Sequence, residues 1–168
     1  MRFELLYAKH AQAVKAYVLR RADASTADDV VAEVFVVCWR RFEEIPVDPL
    51  PWLLGVARRV LSTQRRGERR RGALHERLAE QAPDPSGETL RDSGLAAALA
   101  RLSDADRELL LLIAWDGLSP AQAATVLAIK PATARVRLLR ARRRLTQALS
   151  SERSDPTTCS SLSMEASS

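Results

Sequence analysis

Glycine and aromatic residues are scarce in this 168-residue chain, with 6 Gly and 5% Phe, Trp and Tyr, a balance that argues against a sheet-rich enzyme. Cysteine is nearly absent. Cys38 falls in an apolar run and Cys159 in a polar stretch, with no paired spacing, which excludes a disulfide framework and a cysteine-built metal site. His10 and His75 stand apart from other ligand types, so each is expected to be an ordinary packing or surface histidine, and no metal or cofactor is expected. No apolar run approaches the roughly 18 residues of a membrane span, and the N-terminus lacks a basic, apolar, small-residue leader pattern. Membrane insertion is not expected, and a cytoplasmic, reducing location is. Lysine occurs only at positions 9, 15 and 130, yet Lys and Arg together number 26. The surplus is therefore arginine, and the net charge of +5 suits a polyanionic partner.

The arginines are not scattered. Between Leu118 and Leu149 the sequence predicts two short helices around a tight turn. Ser119 offers a hydroxyl cap and Pro120 a pre-set first position, with Ala121, Ala124 and Leu127 as the apolar side. The chain turns through Ala128, Ile129 and Lys130. Pro131 then restarts a helix in which Ala134, Leu138, Ala141 and Leu145 form one stripe. Arg135, Arg137, Arg140, Arg142, Arg143 and Arg144 fall off that stripe. Core contact and nucleic-acid contact thus coexist on one helix, which a helix-turn-helix presents to the major groove.

Upstream, Phe3, Leu6, Tyr7, Val14, Tyr17 and Val18 repeat at helical spacing up to Arg21. Thr26 and Asp29 make a capping-box-like start for a second helix reaching about Phe42. Val30, Val31, Val34, Val37 and Cys38 give it more apolar surface than one stripe needs, and Asp28, Asp29 and Glu33 leave its first turns acidic. One face is expected inside and the other on a partner. Pro46, Pro49 and Pro51 interrupt the chain, with Pro51 placed to open a third helix from Trp52 to about Arg71. Leu53, Val56, Ala57, Val60 and Leu61 form its inner side. Arg58, Arg59, Arg65, Arg66, Arg69, Arg70 and Arg71 crowd the rest, with Trp52 beside them as in single-strand binders, or simply buried.

Periodicity fades between Gly72 and Ser93, where Pro83 to Gly87 reads as a flexible connection. Helix resumes near Leu95. Ser103 and Asp106 repeat the cap signature before Leu109, Leu110, Leu112 and Ile113, and Gly117 ends that helix in a left-handed conformation. Beyond Ser150 the residues are too polar and small to fold alone. The expectation is an all-α chain: a three-helix domain over 1–71, a flexible linker over 72–93, a helix-turn-helix domain over 94–149 and a disordered tail over 150–168.

The run Asp28-Asp29-Val30-Val31-Ala32-Glu33-Val34-Phe35, with Trp39 following, resembles the core-polymerase-binding segment of bacterial sigma factors. Leu102 to Leu112, then Gly117-Leu118-Ser119 and Arg135 to Leu145, resemble their promoter-binding fourth region. With two modules and a short linker, the chain is similar to the extracytoplasmic-function (ECF) group of the sigma-70 family from about Phe3 to Leu149. The resemblance implies that Asp29, Glu33, Phe35 and Trp39 dock on a coiled coil of the largest subunit of core RNA polymerase. It assigns the minus-ten element of promoter DNA, its strand separation and an extruded base to Trp52, Arg58, Arg59, Thr63, Arg65, Arg66 and Arg69. Unstacking costs about 1.4 kcal/mol per step, so contacts to the opened strand are physically required. The minus-thirty-five duplex falls to Lys130, Thr133, Arg135, Arg137, Arg140, Arg142 and Arg143, with Arg142, Arg143 and Arg144 mainly on phosphate or polymerase. An anti-sigma factor is the implied regulator. Catalytic residues are not implied.

The sequence departs from the family pattern where Arg59 and Thr63 replace the common Asn and Asp, Ala32 replaces Gln, Ala128 replaces a turn Gly, and Lys130 replaces a capping Ser. Losing that cap weakens a helix by about 1 kcal/mol, which Pro131 partly offsets. Two other classes compete. A stand-alone helix-turn-helix regulator predicts tight binding to a palindromic duplex without polymerase. An enzyme acting on DNA lacks support, since Asp28, Asp29 and Glu33 have neither a His partner nor a second carboxylate cluster.

Overall fold

Seven α-helices and no strand make up residues 3–75 and 94–153, the residues described by the structure, a computed structural model. They are α1 (Phe3–Leu19), α2 (Ala24–Arg40), α3 (Pro49–His75), α4 (Gly94–Ala100), α5 (Asp104–Ala114), α6 (Pro120–Leu127) and α7 (Pro131–Arg153), with a 3₁₀ turn at Phe42–Glu44. The expectation of an all-α fold holds.

The first three helices pack on one another around Leu6, Val14, Val18, Val30, Val34, Cys38, Leu53 and Ala57, all fully buried. The inner face expected of α3 is met, and Pro49 rather than Pro51 opens the helix. The start of α2 also differs. Asp23 is the cap, its carboxylate accepting the Thr26 N–H at 2.8 Å and the Ser25 hydroxyl at 2.6 Å. The helix therefore begins three residues before the Thr26 box: Asp23 accepts the Thr26 N–H, and the N–H groups of Asp28 and Asp29 that Thr26 would have capped fall inside the helix. Those bonds, the Ser25 hydroxyl foremost, hold the Asp23 carboxyl at about 2. Its contribution is in place above the usual value of 3.8 and is lost as pH falls through about 2. Both runs called linker and tail begin as helix: α3 reaches His75 and α7 reaches Arg153, where Arg101 donates to the Ser151 hydroxyl at 3.0 Å. Residues 76–93 and 154–168, including Cys159, lie outside the described residues.

In the second group the expected caps form. The Ser103 hydroxyl accepts the Asp106 N–H at 3.2 Å. Ser119 and Gln122 make a reciprocal capping box at 3.2 and 2.8 Å. Gly117 closes the end of α5 at φ +67°. On α6 the buried side is Ala123, Ala124, Val126 and Leu127, while Ala121 is exposed, contrary to the expected stripe. The reason is that α6 packs on α5 and α7 and also on α3 of the first group. Gly55 of α3 faces the backbone of Val126, close enough that a Cβ there would lie 3.8 Å from its Cα and carbonyl oxygen. A single hydrophobic core therefore runs through both groups.

An ion network closes the junction. Arg21, 7% exposed, donates from Nε to both Glu108 oxygens at 3.1 and 3.0 Å and from Nη2 to Asp116 at 3.3 Å, while Nη1 donates to the Tyr17 carbonyl at 3.0 Å. The guanidinium lies 3.7 Å from the centroid of the Tyr17 ring, whose hydroxyl donates to Glu108 at 2.9 Å. Arg20 completes the set by donating to Asp116. Burial pushes the Tyr17 hydroxyl far up, reinforced by the Glu108 carboxylate, so it stays a donor.

Two outcomes are expected. Ala128 takes up φ 53°, ψ 43°, the left-handed turn that the family commonly gives to glycine. Ala128→Gly removes the strain of a Cβ there at the cost of extra unfolded-state freedom, and should raise stability by about 0.5–1 kcal/mol in denaturant unfolding. Glu108→Ala takes from Arg21 its bidentate partner, leaving Asp116, shared with Arg20, as the carboxylate at the junction, and should weaken the closed packing by on the order of 2 kcal/mol. Small-angle scattering should then show a larger radius of gyration with far-ultraviolet helicity retained; an unchanged radius and unfolding midpoint would show the network to be dispensable.

Candidate nucleic-acid interface

Three surfaces carry the residues singled out from the sequence. The first lies across α1 and α2. Asp29 and Glu33 are exposed, and Trp39 is 64% exposed with its ring set edge-on to Phe3 at 5.1 Å between centroids. Phe35 differs. It is buried, contacting the rings of Tyr7 at 4.6 Å and Phe3 at 6.4 Å, so it supports the surface from beneath. Leu5 and Val36 add exposed apolar area that sequence periodicity does not single out, and Tyr7, one of the apolar positions expected to pack in α1, is 47% exposed. Lys15 pairs with Asp28 at 2.9 Å, leaving Asp29 and Glu33 as the acidic part.

The second surface is α3. Successive residues turn about 100°, which places Trp52, Arg59, Thr63 and Arg66 within about 60° of one another. Trp52 is half-buried against the core and the other three are exposed. The Thr63 hydroxyl donates to the Arg59 carbonyl at 3.0 Å, and Arg66 donates to the Ser62 hydroxyl at 3.2 Å. Arg58 and Arg65 belong to the opposite flank, and the line between the flanks passes through Gly55, where α6 packs. Arg65 is engaged by the fold, donating to the Arg21 carbonyl at the end of α1 at 2.5 Å. Arg69 continues α3, its side chain outside those described.

The third surface is α7. Ala134, Leu138 and Ala141 are buried, as the stripe required, and Leu145 is half-buried. Lys130, Thr133, Arg135, Arg140, Arg142, Arg143 and Arg144 are exposed. Arg137 is only half-exposed. Its Nε lies 4.0 Å from Asp106, and Arg144 donates to the same carboxylate at 2.8 Å. Asp106 is 6% exposed and forms one wall of a groove with Thr133, Val136, Arg137, Arg140 and Arg144. Sequence reading saw Asp106 as part of a cap. The missed signal was the demand for an acceptor created by so many arginines between Pro131 and Ser151 with no acid among them.

What these surfaces present is exposed charge, hydrogen-bond donors and apolar area. Among the described residues no cluster of His, Cys, Asp and Glu suits a metal ion. His10 is buried, with Nε2 lacking a hydrogen-bond partner, and burial, aided by Lys9, lowers its pKa. An uncharged packing histidine fits that position. None of the described helices is long and apolar enough to cross a membrane.

The sequence matches the family description Sigma-70 region 2 over residues 6–71 and Sigma-70, region 4 over residues 94–145. It is 35% identical over 142 residues to the ECF RNA polymerase sigma factor SigL of Mycobacterium tuberculosis strain ATCC 25618 / H37Rv, covering 79% of this chain and 80% of that protein. The fold is similar to that of the sigma factor RpoE in its co-crystal with the anti-sigma factor NepR from Bartonella quintana, with a TM-score of 0.64 and 24% identity over 88% of this chain and 96% of that one. It is also similar to CnrH in complex with the cytosolic domain of CnrY, with a TM-score of 0.56 and 25% identity over 89% of this chain and 88% of that one. A sigma-70 region 2 and a sigma-70 region 4 in family order, on a shared helical fold and with a likeness to SigL over about four-fifths of each chain, establish that this chain belongs to the ECF group of the sigma-70 family of RNA polymerase sigma factors.

Proposed function

We propose that this chain is a dissociable initiation subunit that binds core RNA polymerase and directs it to promoters, contributing no catalytic group of its own. The observation that carries the reading is one folded body bearing an acidic and aromatic face on α2 and separate cationic faces on α3 and α7. Complementary patches of opposite charge steer association and select partners more than they set affinity. An acidic face on α2 repels the DNA that the other two attract, which sorts polymerase from promoter.

Asp29, Glu33 and Trp39 would meet the polymerase, backed by Phe35. The Trp52, Arg59, Thr63 and Arg66 side of α3 would hold the opened minus-ten strand. A guanidinium at position 59 brings charge and a stacking plane where the family commonly has an amide, so base selection there rests more on stacking and phosphate contact. Arg58, Arg65 and Arg69 extend the cationic surface along α3. The helix-turn-helix of α6 and α7 would bind the minus-thirty-five duplex through Lys130, Thr133, Arg135, Arg137, Arg140, Arg142 and Arg143. RpoE and CnrH are each solved with a protein partner, RpoE with an anti-sigma factor. By that likeness an anti-sigma factor controls this chain in the cytoplasm by covering the exposed apolar and cationic surfaces. The units 1–71 and 94–149 act as the two readers, with 72–93 as their connection and 150–168 as a tail.

Purified chain with core polymerase should initiate at discrete starts on fragmented genomic DNA, and those starts should share a spaced two-part upstream motif. Tight binding of the isolated chain to a palindromic duplex, with no core association and no starts, would instead indicate a stand-alone regulator. Glu33→Lys reverses a charge on the exposed side of α2 and should weaken binding to core about tenfold with the fold intact, an exposed interfacial charge contributing on the order of 1 kcal/mol. Unchanged affinity in a core-binding titration would remove α2 from the polymerase surface.

A further inference from the structure

On α7 the arginines do not occupy the outward pole. Taking Ala134 as the inward reference at about 100° per residue, Ala132, Val136 and Leu139 fall at about 160°, 200° and 140°. Val136 is 50% and Leu139 53% exposed, and Ala132 is exposed. Arg135 and Arg142 sit on one flank at about 100° and 80°, Thr133 and Arg140 on the other at about 260° and 240°. Arg137 and Arg144 lie further round on that second side, drawn to Asp106. Arg143 joins the pole one turn beyond Leu139. The outermost line of the recognition helix is therefore apolar along its first two turns, with a file of guanidinium groups on either side.

A helix in the major groove presents its outward pole to the base edges and its flanks to the two phosphate backbones. An apolar pole has no donor for guanine O6 or N7. The one apolar feature a base pair offers there is the C5-methyl of thymine. From this geometry, and resting on the reading that α6 and α7 bind promoter duplex, we propose that Ala132, Val136 and Leu139 read thymine methyl groups while Arg135, Arg140 and Arg142 bind phosphate. The crest spans about 10 Å, the length of about three base pairs, so it recognises a short thymine-bearing step. Scattered exposed apolar side chains are common on protein surfaces. Here the three adjoin along a single line, and the cationic files beside them match the charge of DNA and of no apolar helix lacking acidic edges.

The test uses the full chain bound to core polymerase. A duplex fragment is selected from a randomised pool, and each thymine in its upstream element is replaced in turn by deoxyuridine, which removes the methyl alone. Replacement should weaken binding about fourfold at each contacted position, the effect of losing one buried methyl. With Val136→Ala or Leu139→Ala, the replacement effect should vanish at the position that residue covers. These two variants should leave the salt dependence of binding unchanged, whereas Arg135→Ala should lower its slope by about one. Deoxyuridine that is neutral at every position, or equally harmful with and without Val136, would overturn the proposal. So would a Val136→Ala loss confined to core binding, which would make the crest a protein-docking face. Failure of the polymerase complex to enrich any duplex sequence would reject the promoter reading itself, and the crest assignment with it.

Discussion

The guanidinium of Arg21 is held where the end of α1 meets α5, and the groups around it come from two stretches of the chain far apart in sequence. Tyr17 lies one turn back on the same helix and supplies a ring face and a carbonyl; Glu108 and Asp116 come from beyond the connection. Burying a charge is tolerable only when its donors are satisfied, and a forked guanidinium can meet several acceptors at fixed angles where an ammonium cannot. The relative placement of the two helical groups follows from this requirement as much as from apolar packing. Apolar contact between α3 and α6 is tolerant of small slides, whereas the bidentate pair with Glu108 is not.

Helix positions were largely legible because caps and periodicity are local. Ser119 with Gln122, Ser103 with Asp106, Gly117, and the stripe Ala134, Leu138 and Ala141 all stand where short-range rules put them. Errors arose where a nearby residue competed or where the partner was distant. Asp23 displaces Thr26 as a cap because it accepts the Thr26 N–H and starts the helix a turn earlier. Ala121 lies outside the buried side of α6 because that side is set by α3 as well as by α5 and α7. Nothing within a few residues of Arg21 announces Glu108, 87 positions later, and no helical wheel of α1 alone could reveal it.

Site residues show the same division. Exposure of Glu33, Trp39, Arg59 and most of the arginines of α7 follows from their helical faces. Helical faces do not reveal which arginines already have hydrogen-bond partners inside the protein. Arg65 caps the end of α1, and Arg137 and Arg144 share Asp106. Counting basic residues overstates the charge available to DNA, since a guanidinium already bonded to a carboxylate releases fewer counterions on reaching a phosphate.

On the proposal that α3 holds the minus-ten strand and α6 with α7 the minus-thirty-five duplex, the close approach of Val126 to Gly55 would couple the two promoter readers. Elements named for positions ten and thirty-five bases upstream lie about two and a half helical turns apart, roughly 85 Å along the duplex axis. Helices in van der Waals contact cannot lie on both at once. Promoter engagement therefore draws on molecules whose α3 and α6 have parted, and apparent affinity scales with the fraction already parted. The α3–α6 contact thus acts as a threshold on the intact chain, raised by every partner that grips the closed form and lowered by every partner, polymerase included, that favours the open one.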